Sequence, residues 1–325
     1  MRLPRVTVVR AVTLSMLVVS AADGCASHDG RPDPRPPVAA TVAQAPGAAG
    51  ELGLPLDAYE PTAQEYQMIQ LATRRSLRAC MKSFGLELDA PDVGPVKYPQ
   101  NATILSWLGS HEVERYGYAG PPGFADEMAA VAMRGTRPIV IGPELVPIFE
   151  GSVREFAGKV VPSGGCDAQT RRALDAGAAP VRSDDLAPDS TPERGIRILA
   201  QQAGEQARAD ARLRPVVKAW STCMKRAGHR YANPDQAQGD RRWTGTEAAG
   251  DGSAAVPVSA AEIATAVADR RCREEVNFSG ILRMLVSERE SELIRTKGDV
   301  VRAVSTLLRT RVSNAAAILR TSPPT

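Results

Sequence analysis

Few side chains in this 325-residue chain can do chemistry: five cysteines and three histidines stand among ordinary charged residues. Cys25 ends a leader, which leaves Cys80, Cys166, Cys223 and Cys272. No two of these have the spacing of about two to four residues that zinc sites use, so oxidation in pairs is the chemistry they offer. In an exported chain an even number of cysteines implies two disulfides, with three connectivities open. Buried free thiols are the other reading, and an oxidising exterior would threaten them.

The remaining reactive groups do not assemble into a catalyst on paper. His111-Glu112-Val113-Glu114 lacks the second histidine that a zinc-peptidase helix needs. No G-x-S-x-G elbow and no phosphate loop ending in Gly-Lys-Ser/Thr occurs. His28 lies in the leader or tether, leaving only His111 and His229 as bases. Glu112 and Glu114 can be imagined as an acid/base pair, but carboxylates spaced like this are usually solvated. The sequence therefore nominates no catalytic residue, no cofactor-binding residue and no metal ligand, and it requires no cofactor.

Cys25 carries a different chemistry. A basic start (Arg2, Arg5, Arg10), an apolar run from Ala11 to Ala22 and then Asp23-Gly24-Cys25 read as an export signal ending at a lipidation site. The run of about 12 apolar residues is too short for a transmembrane helix, which needs roughly 20. Asp23 is unusual in a lipidation motif, and cleavage after Ala22 or Ala26 without lipidation is the competing reading. The Pro- and Gly-rich stretch that follows, including Arg31 to Pro37 and Pro46 to Gly50, has almost no large apolar residue before Leu52. It reads as a disordered tether whose span is on the order of 30 Å.

Composition limits the partners. The hydrophobic fraction of 43% supports a folded protein, and the net charge of +3 is small for the length. Arginines alternate with acids, as in Ser287 to Glu292, and no basic face interleaved with aromatics appears. Nucleic acid is therefore a poor partner. Abundant Ala, Arg, Gly and Pro beside few Lys reflect a GC-rich genome.

An internal repeat chooses among the cysteine pairings. Cys80-Met-Lys-Ser-Phe-Gly85 through Pro91-Asp92 aligns without a gap on Cys223-Met-Lys-Arg-Ala-Gly228 through Pro234-Asp235, with six identities in 13 positions. Each copy ends a helical pattern, its glycine placed as a left-handed C-terminal cap and its proline placed to prevent resumption. Each copy also has one cysteine downstream. The economical pairing is Cys80 with Cys166 and Cys223 with Cys272, closing loops of about 86 and 49 residues, each contributing roughly 4 to 5 kcal/mol at most.

The elements that position these residues are mainly helical. Thr62 to Glu65 forms a capping box before Tyr66, Ile69, Leu77, Cys80 and Met81. Thr191-Pro192-Glu193 opens a helix through Ile196, Leu199 and Ala203, and Pro215 opens or kinks the helix carrying Trp220 and Cys223. Trp220 reads as core packing against the bridge. A second capping box, Ser259 to Glu262, leads through Ile263, Val267 and Cys272. After a break from Asn277 to Gly280, Ile281 to Leu319 reads as one or two amphipathic helices that Gly298-Asp299 can interrupt. That arm either projects to meet another helix or folds back on its own core. Between Pro91 and Cys166 the pattern is irregular: Ile104 to Leu108 and Pro138 to Gly142 could be strands, and Arg115 to Gly123 reads as a loop. This insertion holds the best candidate binding surface.

Trp220 to Gly228 with Tyr231 and Pro234, followed by Glu262 to Arg273, resembles a family of uncharacterised secreted lipoproteins from GC-rich Gram-positive bacteria. Cys80 to Gly85, Arg115-Tyr116-Gly117 and Gly164-Gly165-Cys166 are similar to that family's first half, so the resemblance covers roughly residues 62 to 295. It implies an exported, mainly helical protein and brings no activity or catalytic residues.

The expected architecture is mainly α: two disulfide-stapled helical pseudo-repeats, a less regular insertion in the first and a long C-terminal helix. Residues 1–25 are the signal with its possible lipobox, 26–60 the tether, 61–190 the first half, 191–280 the second half, and 281–325 the C-terminal helix and tail. The expected role is a noncatalytic envelope binding or adaptor protein on the outer face of the cytoplasmic membrane, held by a lipid at Cys25 or else secreted. Its expected partners are the membrane and an envelope protein meeting the C-terminal helix. The alternative is an envelope enzyme acting on cell-wall material.

Overall fold

The computed structural model describes residues 42–45, 47, 52–181, 194–244 and 258–321. All belong to the unit Pro37–Thr325. The signal, Cys25, most of the tether and the Thr191-Pro192-Glu193 cap lie outside them.

The first half is built on α1 (Ala63–Ser83). Thr62 Oγ1 accepts the Glu65 N–H and Glu65 returns a carboxylate oxygen to the Thr62 N–H, so the expected capping box forms on both sides. The insertion follows as short helices, α2 (Val113–Tyr116), α3 (Phe124–Ala132) and α4 (Val146–Glu150). Then come a two-stranded antiparallel ribbon, β1 (Glu155–Phe156) with β2 (Lys159–Val160), and α5 (Gly165–Leu174). The second half comprises α6 (Gly195–Ala209), α7 (Arg214–Arg226), α8 (Pro234–Gln238), α9 (Arg241–Thr244) and α10 (Ala260–Glu275). The chain ends in α11 (Phe278–Thr296) and α12 (Gly298–Thr321). The fold is mainly helical, as expected.

Both bridges are present. Cys80 is bonded to Cys166 and Cys223 to Cys272, each with Cα atoms 5.7 Å apart. The two repeat copies also end their helices identically. Gly85 donates its N–H to Lys82 O and Leu86 to Met81 O, while Gly228 donates to Lys225 O and His229 to Met224 O. Both glycines have positive φ, 78° and 89°. This paired bonding across a left-handed glycine is a Schellman ending, which satisfies carbonyls the helix cannot. The motif is thus explained position by position: cysteine for the staple, a fully buried methionine, an exposed lysine and the capping glycine. The copies part company beyond it. The chain has no regular secondary structure at Pro91, whereas Pro234, with Asn233 capping, opens α8 instead of blocking a helix.

Four further expectations are corrected. The tether does not run to residue 60: Leu52, Leu54 and Leu56 are buried, and Pro55–Tyr59 is a 3-10 helix started by Pro55. Three leucines on alternate positions bury the segment, and Glu290 of α11 accepts the Leu56 N–H. Ile104 to Leu108 and Pro138 to Gly142 are turn and irregular chain, because neither finds a partner strand. The break after α10 falls at Asn277, with φ 50°, and Gly280 lies inside α11. Ser259 caps α10 through the Glu262 N–H, but the Glu262 side chain does not complete the box.

The C-terminal arm is two helices broken at Lys297, and it folds back. Val301, Val304, Leu308 and Ala315 of α12 are at most 2% exposed, against α1, α5 and α6. α11 lies along α6, with Ile281, Leu282, Leu285 and Val286 fully buried. Among the described residues no helix is long and apolar enough to cross a membrane.

Candidate functional site

The insertion is held to the second half by two carboxylates of α10, seven residues apart and therefore on one helix face. Glu262 sends Oε1 across to accept the N–H groups of Tyr118 (3.1 Å) and Ala119 (3.2 Å). Burial pushes its carboxyl above the ordinary range, and the two backbone donors oppose that. The close approach needs Gly117: it has φ 57°, and a Cβ there would stand 3.0 Å from the Glu262 side chain and from Val258.

Asp269 is fully buried and receives four donors. Trp220 Nε1 (2.8 Å) and Arg273 Nε (2.8 Å) reach Oδ1, and Tyr118 Oη (2.9 Å) and Arg273 Nη2 (2.9 Å) reach Oδ2. Arg273 also donates to Ser106 O, at 2.5 Å. A carboxylate so saturated positions its neighbours and has no lone pair left for a substrate. Trp220 is core packing beside the second bridge, as expected, with a hydrogen bond in addition. The sequence reading missed this cluster. Its signal was present: two acids on the apolar-facing side of α10, with Arg273 four residues beyond Asp269.

The side chains imagined as an acid/base set are divided by the fold. Glu114 is ion-paired to Arg270 of α10, which holds its carboxyl below the ordinary range. Glu112 has φ 48° and lines a cleft. His111 is 4% exposed, its ring 4.5 Å from that of Phe124, and burial followed by the charge of Arg273 pushes its pKa down to about 4. His229 occupies the residue after the second capping glycine, its Nδ1 3.2 Å from Thr265 Oγ1.

The cleft beside Glu112 has a volume of about 790 Å³ and is walled by residues of three segments: Leu52, Gly53, Asp57 and Glu60 to Gln64, then Val96 to Asn101, then Gly109, Ser110 and Glu112. Asp57, Glu60, Gln100 and Asn101 of this wall belong to a second network of paired polar groups, with Arg134 behind them. Arg134 Nε lies 2.7 Å from Glu60 Oε2, Gln100 Nε2 bridges Asp57 (3.1 Å) and Glu60 (3.0 Å), and Asn101 Nδ2 donates to Asp57 (2.8 Å) and Leu52 O (2.9 Å). Burial raises the Glu60 carboxyl, and Arg134 opposes it. With Asp57, Glu60 and Arg134 occupied by one another, the cleft presents Tyr98, Lys97, Gln64 and Glu112, and the Ser110 Oγ in its wall is buried with no partner among the described residues.

Among the described residues no group of three or more His, Cys, Asp or Glu is arranged to hold a metal ion. Fold and site define a mainly helical protein with two staples, an insertion anchored on α10 and an open polar cleft. No protein-family model, curated protein or solved structure matches the chain.

Proposed function

We propose that the chain is a noncatalytic, exported envelope protein that binds its target through the insertion cleft. One observation carries the reading: Asp57 and Glu60 beside the cleft and Asp269 on α10 are engaged by partners within the protein, leaving Gln64, Lys97, Tyr98 and the Glu112 carboxylate to meet a ligand. Such a surface recognises and does not transform. Two disulfides in one chain support an oxidising compartment outside the cytoplasm. The leader and Cys25 supply the address, and the family resemblance agrees with it. The proposed partner contact lies at the cleft and not on the apolar stripe of α12, since that stripe is covered by the chain's own α1, α5 and α6.

Two measurements test this. Cys25→Ser should move the protein from the membrane fraction to the medium, because two acyl chains anchor firmly and none do not. Equal release of both forms would remove the anchor and leave export in place. The full chain incubated with isolated cell wall should free no soluble fragments and should sediment with envelope material, a property weakened at least severalfold by Tyr98→Ala without loss of melting temperature. Fragment release that disappears in Glu112→Gln would replace the binding reading with an envelope hydrolase.

A further inference from the structure

A second cleft, of about 410 Å³, opens among α1, α5, α6, α12 and the turn after α3. Five arginines from four places in the chain line it: Arg134, Arg171, Arg194, Arg197 and Arg311. Three are matched by acids. Arg134 pairs with Glu60 at 2.7 Å, Arg171 with Asp167 at 2.7 Å, and Arg311 Nη2 with Asp175 Oδ2 at 2.9 Å. Arg194 and Arg197 reach no carboxylate among the described residues; Arg194 occupies the N-cap of α6 and Arg197 its first turn, which has no acid. The positive end of the helix dipole adds to their repulsion.

Arg197 is poorly served in other ways. Its Nε is buried without a partner among the described residues, and its Nη1 faces the sulfur of Met133, a weak acceptor. Burial, then Arg194 and Arg134, depress its proton affinity, against the pull of Glu60 and Tyr66. Across the cleft Thr170, only 3% exposed, is part of the wall. Thr73, also in the wall, bonds back to Ile69 O at 2.8 Å.

We propose that this cleft binds a phosphate-bearing small molecule, with Arg194 and Arg197 as its anionic clamp. The two unmatched charges equal those of a phosphate monoester, which carries about −1.5 to −2 near neutral pH. Guanidinium forks match phosphate oxygens in pairs. The volume lies within the range of small-molecule sites, about 300 to 1,000 Å³. The site is independent of the envelope reading and of the other cleft.

The test uses the full chain with inorganic phosphate, glycerol 3-phosphate, succinate and phosphatidylglycerol vesicles, read by calorimetry, thermal shift and sedimentation. Phosphate or its ester should bind saturably and raise the melting temperature, as any ligand of the native state does. Arg197→Gln and Arg194→Gln should each weaken that binding at least tenfold and abolish the thermal shift. Without ligand both variants should melt at or above the wild-type temperature, because an unmatched charge has been removed. Vesicle sedimentation lost in the same variants would assign the phosphate to a lipid headgroup, and soluble binding alone would assign it to a free ester. Three results would overturn the site: no saturable binding up to about 10 mM phosphate, which is weaker than roughly −3 kcal/mol; undiminished binding in the Arg194→Gln, Arg197→Gln double variant; or succinate binding as tightly as the phosphate ester.

Discussion

Asp269 and Glu290 are both buried carboxylates, and their surroundings treat them in opposite ways. Asp269 has a guanidinium, a phenol and an indole N–H, whereas Glu290, 1% exposed, accepts one backbone N–H from Leu56 at 2.9 Å. Burial therefore pushes the Glu290 pKa up to about 7, against the pull of that N–H. An acid whose folded pKa exceeds its unfolded one contributes its full stability below about pH 4.5 and loses it as pH rises toward 7. His111 runs the other way: with its pKa depressed to about 4, its contribution is full above about pH 6.5 and lost as pH falls. The two slopes oppose each other between about pH 4.5 and 6.5 and flatten the profile there. Glu290→Gln keeps an acceptor for Leu56 and removes the ionisation. It should raise stability by about 1 to 3 kcal/mol at pH 8 and by little at pH 4.5, measured as denaturant midpoints. An equal gain at both pH values would trace the effect to packing instead of ionisation.

Among the elements, the glycines separate two kinds of constraint. A Cβ at Gly85 or Gly228 would meet nothing within 4 Å, so alanine there is opposed only by the left-handed backbone, at about 1 to 2 kcal/mol. At Gly117 the same change adds a tight approach of 3.0 Å to the Glu262 side chain, which must shift and so strain its two bonds to the insertion. Gly117→Ala should therefore lower the melting temperature more than Gly228→Ala and should loosen residues 115–119 to proteolysis. The reverse order would remove Glu262 from its anchoring role. The same contrast explains what was legible in the sequence. The ends of α1 and α7, their caps and the pairing of four cysteines are set by residues adjacent in the chain or repeated along it, and they could be read. The strands expected at Ile104 and Pro138 could not be judged, because an apolar run of that length fits a strand or a buried turn equally well. Leu52–Glu60 was hidden in a composition typical of a tether, and its order depends on α11 residues more than 200 positions away, such as Glu290. The arginine cleft likewise exists only when α5, α6 and α12 meet.

At the scale of the whole chain, each bridge lies within one half, but the cores do not respect that division. α12 covers α1 and α5 of the first half, while α2 of the insertion packs on α10 of the second. One hydrophobic cluster joins Leu54, Leu105 and Trp107 to Ala203, Val216 and Leu285. The bridges close spans of 86 and 49 residues, and in the chain-entropy model their contributions differ by only about 0.5 kcal/mol. Two independently folding stapled halves would lose one transition when one bridge is removed and keep the other. An interleaved core predicts that the Cys80→Ala, Cys166→Ala and the Cys223→Ala, Cys272→Ala double variants each shift a single cooperative transition downward by a similar amount, roughly 4 kcal/mol less any strain released. Calorimetry of both variants checks this through the ratio of van't Hoff to calorimetric enthalpy, which stays near one for a single unit. Two resolved transitions in either variant, with one left at the wild-type temperature, would show that the halves fold separately and that α12 is an appendage of the first half and not the element that joins them.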